Sequence, residues 1–178
     1  MPFAINIRSD NETAAPIREL WQRLEVFEPA PTMRALNYPP HLTLAIYEDV
    51  PESELFAVVD GVADGPIKLR FESLGCFTPP NGLVIWAAPR VTRQLRRLHQ
   101  SIHSIIDTQR CHANYRPKRW VPHCTLALNV APEYRSEAKA LTEEALSPFE
   151  ATFDVVDCTS FHPVEVLRER RLKSTGQA

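Results

Sequence analysis

The chain has 178 residues, 44% of them hydrophobic and 24% charged, which is the balance of one soluble globular domain or a compact pair of half-domains. Twenty Lys and Arg against 22 Asp and Glu leave a net charge of −2, which excludes a polycationic protein that holds nucleic acid by charge alone. No uncharged apolar run approaches the ~18 residues of a spanning helix, and the opening MPFAINIRSD lacks the basic and apolar regions of a signal peptide, so the expected compartment is the cytoplasm.

In chain order, residues 3–8 (FAINIR) alternate as a strand, and a helix follows with Asn11 as its cap and Ile17, Leu20, Trp21, Leu24 and Phe27 on one face. The stretch EPAPTMRALNYPP reads as a loop, because its four prolines deny both helix and central-strand pairing. The strand HLTLAIY opens directly after Pro40. A short helix is expected at 52–62, and strands at about 67–77 and 83–88 are joined by the turn TPPNG. The second half repeats the order. A long helix at 91–110 carries Val91, Leu95, Leu98, Ile102 and Ile105, a loop containing Pro117 follows, and the strand HCTLALNV starts after Pro122. A weaker helix near 132–146 and strands at about 149–157 and 161–171 complete the chain. The fold class is therefore α+β, built of two pseudo-symmetric halves at about 1–89 and 90–178 within a single domain of residues 1–178.

Two segments carry the repeat most closely: Pro40-His41-Leu42-Thr43-Leu44-Ala45-Ile46 and Pro122-His123-Cys124-Thr125-Leu126-Ala127-Leu128 agree at five of seven positions, 82 residues apart (His41 to His123). With each residue type used about once in twenty, chance would give well under about 0.01 such pairs in the chain, so the repetition calls for a cause. Strict alternation along a strand places His41, Thr43 and Ala45 on one face and Leu42, Leu44 and Ile46 on the other. The second copy divides likewise, with His123, Thr125 and Ala127 opposite Cys124, Leu126 and Leu128. Brought together, the polar rows line a cleft with two imidazoles and two hydroxyls. That set suits phosphodiester chemistry without a metal: a neutral histidine takes a proton from the attacking oxygen, a protonated one gives a proton to the leaving oxygen, and threonine hydroxyls donate to the non-bridging oxygens. A bell-shaped pH profile with limbs between roughly pH 5 and 8.5 is the expectation for unperturbed imidazoles.

Other motifs are excluded or weak. The five glycines form neither G-x-G-x-x-G nor a P-loop, and the four cysteines (Cys76, Cys111, Cys124, Cys158) have no zinc or disulfide spacing, so they read as small apolar thiols. His99 and His103, at helical i, i+4 spacing, lack an H-E-x-x-H glutamate and read as a helix flank, while His112 and His162 read as surface or loop residues. No metal or other cofactor is expected. Between Arg90 and Trp120 lie eight basic residues against Asp107 alone. Those at 90–97 read as a solvated helix face, whereas Arg116, Lys118 and Arg119, in a proline-containing loop entering the second motif, are the substrate-binding candidates.

The two H-x-T motifs at this spacing in a chain of this length resemble the two-histidine (2H) phosphoesterase superfamily. HLTLAIYEDV and the segment FESLGCFTPPNGLVIWAAP with the helix containing LRRLH resemble its 2′-5′ RNA ligase/cyclic phosphodiesterase branch. The resemblance implies a bilobal fold with helices outside and a central cleft, no metal, and hydrolysis of cyclic phosphates or reversible 2′-5′ joining of RNA ends. It assigns His41 and His123 as the acid/base pair and Thr43 and Thr125 as donors to the phosphate. Leu128 and Asn129 stand where many relatives carry an arginine after the second motif, so the substrate-side cation has to come from Arg116, Lys118 or Arg119. The expected partner is an RNA terminus or a small nucleotide bearing a cyclic phosphate, with no membrane, and the chain is expected to be a monomer. Two alternatives stay open: a hydrolase of a small nucleotide such as an ADP-ribose cyclic phosphate, and a non-catalytic nucleotide- or RNA-binding module. Permanent cations would serve bare phosphate binding better than imidazoles half-neutral near pH 7, which counts against the second.

Overall fold

The structure is a computed structural model and describes residues 2–80 and 82–173. Eight strands form two four-stranded antiparallel sheets. One has the order β2-β1-β7-β8, from β1 Phe3–Arg8, β2 His41–Tyr47, β7 Val155–Ser160 and β8 Glu165–Arg171. The other has the order β5-β4-β3-β6, from β3 Ile67–Phe77, β4 Val84–Pro89, β5 Cys124–Ala127 and β6 Phe149–Phe153. Each sheet thus takes two strands from residues 1–89 and two from 90–178. The exchange puts β2 and β5, the motif strands, at equivalent edges where they touch.

Helices α1 Ala15–Leu24, α3 Glu52–Gly61 and α4 Arg93–Ile102 bury apolar stripes such as Ile17, Leu20, Trp21 and Leu24. Asn11 does cap the entry to the first of them, accepting from Thr13 N at 3.1 Å, although a single 3-10 turn at Glu12–Ala14 precedes α1. Helices α1 and α4 cross over: α1 packs on β5 and α4 on β2, each clamping the motif strand of the other half.

Several boundaries differ from the sequence expectation. The proline-rich segment contains one helical turn, α2 Thr32–Ala35, whose Thr32 N and hydroxyl are anchored on the Glu28 carboxylate. The long helix expected at 91–110 ends at Ile102. There the Ser101 and Ser104 hydroxyls bond to the Leu98 and Ser101 carbonyls at 2.8 and 2.6 Å and the backbone tightens into i→i+3 turns. The helix expected near 132–146 is only α5 Arg135–Leu141, after a 3-10 turn. The strand expected at 149–157 is two strands in different sheets. The chain leaves one sheet for the other at Asp154, whose N–H bonds to Arg8 O and whose carboxylate pairs with Arg171 at 2.7 Å. Of the TPPNG turn, Asn81 lies outside the described residues.

Candidate active site

Both motifs open in the same way. Pro40 and Pro122 hold the preceding residue extended, and each chain bends so that the histidine ring reaches back to the carbonyl two residues earlier. His41 Nδ1 lies 2.9 Å from Pro39 O, and His123 Nδ1 lies 2.7 Å from Val121 O. A carbonyl only accepts, so Nδ1 carries the proton in each neutral ring and Nε2 is left as the available base. The two rings are close enough for His123 to disfavour the charge on His41, and Cys124 Sγ meets the His41 backbone N–H.

Beyond the threonines, strict alternation fails in both copies at the same place. The β1–β2 register runs from Asn6↔Thr43 to Ile5↔Ala45, passing over Leu44, and the β4–β5 register runs from Trp86↔Thr125 to Ile85↔Ala127, passing over Leu126. The extra residue is a bulge that flips the pleat. Ala45 and Ala127 are consequently buried instead of facing the cleft. Ile46 is only half-buried, and Leu128, which alternation assigns to the core, is 40% exposed and lines the cleft. Next to each bulge the threonine carbonyl is taken by a tryptophan from the other half: Trp120 Nε1 donates to Thr43 O and Trp21 Nε1 to Thr125 O, both at 3.0 Å. Trp120 is stacked on His99, with ring centroids 4.0 Å apart and planes 3° from parallel. His99 and His103 are buried behind β2, at Tyr115 O and against each other, and are part of the packing instead of a helix flank. Among the described residues no three ligating side chains gather as a metal site.

The surroundings of the two motifs are chemically unlike. Around the first, the Thr43 hydroxyl donates to Asn6 Oδ1 at 2.9 Å, and Asn6 Nδ2 in turn donates to Asp157 Oδ1 and Thr159 Oγ1, both at 3.2 Å. Asp157 is fully buried and also accepts from Tyr38 OH and from Arg8 Nε at 2.7 Å, while Arg8 pairs further with Asp10 and Glu169. Burial pushes the Asp157 pKa up, and the hydrogen bonds from Tyr38 and Asn6 and the charge of Arg8 pull it back. The Tyr38 ring packs edge-on to His41 at 4.8 Å. Around the second motif the neighbours are apolar: Phe77 meets His123 edge-on at 5.0 Å and Trp86 lies 6.0 Å from it, and Trp86 Nε1 is buried without a partner among the described residues. Burial lowers both imidazoles, His41 to about 4 and His123 from its ordinary value. It also pushes the Cys124 thiol up to about 12, so the cysteine beside His123 is no thiolate. None of Asn6, Tyr38, Asp157, Trp86 and the two clasping tryptophans stands out in the sequence as part of a site, although Asn6 and Arg8, which share one face of FAINIR opposite the apolar row Phe3, Ile5 and Ile7, are the kind of signal that could mark one.

A cleft of about 800 Å³ opens beside the second motif, walled by Phe77, Tyr115, Trp120, Val121, His123 and Leu128. Of the basic loop only Arg119 lines it. Lys118, at φ 72, is exposed just outside. Arg116 does not line it; its guanidinium is held by Cys111 O at 2.8 Å, Gln109 O at 2.7 Å and Gln109 Oε1 at 2.9 Å, which makes it a strut for the loop. The four arginines at 90–97 are exposed.

The model of the 2′-5′ RNA ligase superfamily matches residues 10–164, a span that includes both motifs, Asp157 and the strands that carry them. The chain belongs to that superfamily. Solved structures of this fold include TT0787 of Thermus thermophilus (20% identity, TM-score 0.63, covering 98% of this chain and 100% of that one). LigT of E. coli in complex with 3′-AMP is similar too (16% identity, TM-score 0.61, covering 97% and 99%), as is a phosphoesterase (18% identity, TM-score 0.60, covering 97% and 98%). A search of curated sequences gave no match. Membership makes this an enzyme of the 2H phosphoesterase, 2′-5′ RNA ligase-like kind. Among the described residues no helix is long and apolar enough to cross a membrane.

Proposed function

We propose that the enzyme opens cyclic phosphates, at RNA ends or on nucleotides, by metal-independent acid/base catalysis with His41 and His123, and that the same site run backwards joins 2′-5′ ends. The observation that carries this is the matched pair of imidazoles, each with Nδ1 tied to its own i−2 carbonyl and Nε2 without a hydrogen-bond partner among the described residues. One neutral Nε2 removes a proton from the attacking oxygen, and one protonated Nε2 supplies the leaving oxygen. Thr43 and Thr125 flank the reacting phosphate, and Arg119 is the cation nearest to it. Turnover of a 2′,3′-cyclic mononucleotide tests the reading. His41→Ala and His123→Ala should each lower kcat by about 10²-fold or more with the fold retained, and the double variant should be little worse than the poorer single one, because both groups act in one transition state. Near-wild-type turnover by either single variant would refute it.

A small-nucleotide substrate is the second reading, favoured by the cleft itself. Its walls are largely apolar and aromatic, Arg119 is its one lining cation among the described residues, and Arg116 is engaged elsewhere. A groove that follows a long backbone needs a continuous basic track. LigT of E. coli, solved with 3′-AMP, with ATP and with NADP+, has held ligands of that size.

A further inference from the structure

The chain that follows the second motif strand is held from the other half of the molecule. β5 ends at Ala127, and its register with β4 ends there too, at Ile85↔Ala127. Of the next four backbone N–H groups, Val130 N donates to Leu83 O at 3.2 Å and Ala131 N to Phe27 O at 2.8 Å, while Leu128 N and Asn129 N both donate to Glu28 Oε1 at 2.9 Å. Thr32 completes the cradle. Its hydroxyl donates to Glu28 Oε1 at 2.5 Å and accepts from Leu128 N at 3.1 Å, and its N–H donates to Glu28 Oε2 at 3.1 Å. Two successive backbone N–H groups on one carboxylate oxygen make a strong anchor, and they fix the stretch of backbone from which the Leu128 side chain projects. Leu128 needs one. Its side chain is 40% exposed, so core packing does not place it, and it lines the cleft together with Val121, which is 45% exposed. Two exposed aliphatic side chains thus face the cavity that also holds His123 and Thr125.

We infer that Glu28 is a positioning residue for substrate binding: with Thr32 it holds Leu128 in the wall of the cleft, where Leu128 and Val121 take up the uncharged nucleoside part of the substrate. This rests on the proposed reaction of a nucleotide or RNA-end cyclic phosphate in this cleft. An aliphatic wall gains from covering the apolar edge of a ribose or base, and it offers nothing to a charged group, which would lose its water there without a partner. Glu28 itself touches no substrate in this account. Its carboxylate is turned to the backbone of residues 128–129 and to Thr32, so its effect runs through Leu128. That effect belongs to binding and not to the chemical step, because a contact made equally in the ground and transition states lowers KM and leaves kcat unchanged. Glu28 and Thr32 come from the first half of the chain and Leu128 from the second, so this wall exists only when the two halves are packed together.

The test is a double-mutant cycle between Glu28→Ala and Leu128→Ala, read in two ways. One is kcat and KM on a 2′,3′-cyclic mononucleotide. The other is the dissociation constant of 3′-AMP by calorimetry, which needs no turnover. Leu128→Ala should raise KM and the dissociation constant about tenfold, and Glu28→Ala about fivefold, the scale on which an apolar pocket registers lost methylene contacts, each with kcat within about threefold of wild type. In the Leu128→Ala background Glu28→Ala should add less than about twofold, because no side chain is left to place. Glu28→Gln keeps an oxygen for Leu128 N, Asn129 N and the Thr32 hydroxyl and should recover most of the loss. If Glu28→Ala does not fold, Thr32→Val, which removes the hydroxyl shared by Glu28 and Leu128 N, takes its place in the cycle. An unchanged dissociation constant in folded Leu128→Ala, an effect of Glu28→Ala that persists in full in the Leu128→Ala background, or a loss confined to kcat and Tm overturns the inference, as does a wild-type protein that binds no 3′-AMP. A protein that binds 3′-AMP with these dependences and hydrolyses no cyclic ester refutes the proposed function instead, while the dissociation constants alone still establish what Glu28 positions.

Discussion

Gly75→Ala sets two effects of opposite sign against each other at the site. Gly75 lies in β3, paired with Trp86 of β4, and no glycine among the described residues has a positive φ, so alanine can adopt the backbone. Chain entropy alone would then make the substitution stabilising by about 0.5–1 kcal/mol. A Cβ there, however, would stand 2.4, 2.5 and 2.8 Å from Cη2, Cζ2 and Cζ3 of Trp86. Carbon contacts settle near ~3.5–4 Å, so the indole has to withdraw by about 1 Å. That movement disturbs Phe77, which packs on it at 5.0 Å between centroids, and His123, 6.0 Å away. Overpacking of this kind costs about 1–3 kcal/mol, which outweighs the entropy gain and leaves a net loss of up to about 2 kcal/mol. For a chain of this size each kcal/mol lowers Tm by roughly 2–4 °C, so a fall of several degrees is expected. Because the displaced ring leans on His123, kcat on a cyclic mononucleotide should fall by about 10- to 100-fold, the effect of misplacing a catalytic group by about 1 Å. Thermal unfolding and steady-state kinetics read both, and repeating Gly75→Ala in a Trp86→Ala background, where the clash is gone, should remove the loss of stability. A raised Tm with kcat within twofold of wild type would show that Trp86 neither fills that space nor supports His123.

Burial lowers both imidazoles, so the kcat/KM bell should move to the acid side of the range expected for unperturbed rings, with its alkaline limb below pH 6.5; an alkaline limb above pH 7.5 in the free enzyme would contradict that. The same shifts act on stability: for His41 and His99, both held at about 4, the unfolded chain binds the proton more tightly, so stability is complete above about pH 6.5 and declines as pH falls toward 4, which urea midpoints across that window will show. Chelation should leave activity unchanged, because the described residues gather no set of three ligating side chains; loss in EDTA with recovery on a stoichiometric divalent ion would refute this. Finally, Lys118→Ala with Arg119→Ala should raise KM for an oligonucleotide ending in a cyclic phosphate far more than for the cyclic mononucleotide if RNA is the substrate, with the salt slope reduced by about 0.7 for each phosphate no longer neutralised. Equal effects on both would favour the small nucleotide.

The duplicated P-H-x-T, the proline that aims each histidine and the α+β order of elements were legible in the sequence, because they depend on local residue types and on periods of two and 3.6 that a single strand or helix enforces by itself. The length of the helix after Thr92 was less so, since serine hydroxyls competing for carbonyls ended it within an unbroken apolar stripe. What alternation misassigned was Ala45, Ile46, Ala127 and Leu128, and the reason is a bulge in each motif strand. A bulge is a property of the pair: it exists only when a partner strand passes over one residue, so no pattern along one strand records it. The sheets themselves were closed to sequence reading for the same reason, since each draws strands from both halves and β6 and β7 part company at one aspartate. The tryptophan clasp and the inequality of the two threonines belong entirely to the tertiary structure. Trp21 and Thr125 are 104 positions apart, and Asn6 and Asp157 are 151 apart. The sequence presents two equal copies of His and Thr; only packing surrounds one with a buried carboxylate and an amide and the other with aromatic rings.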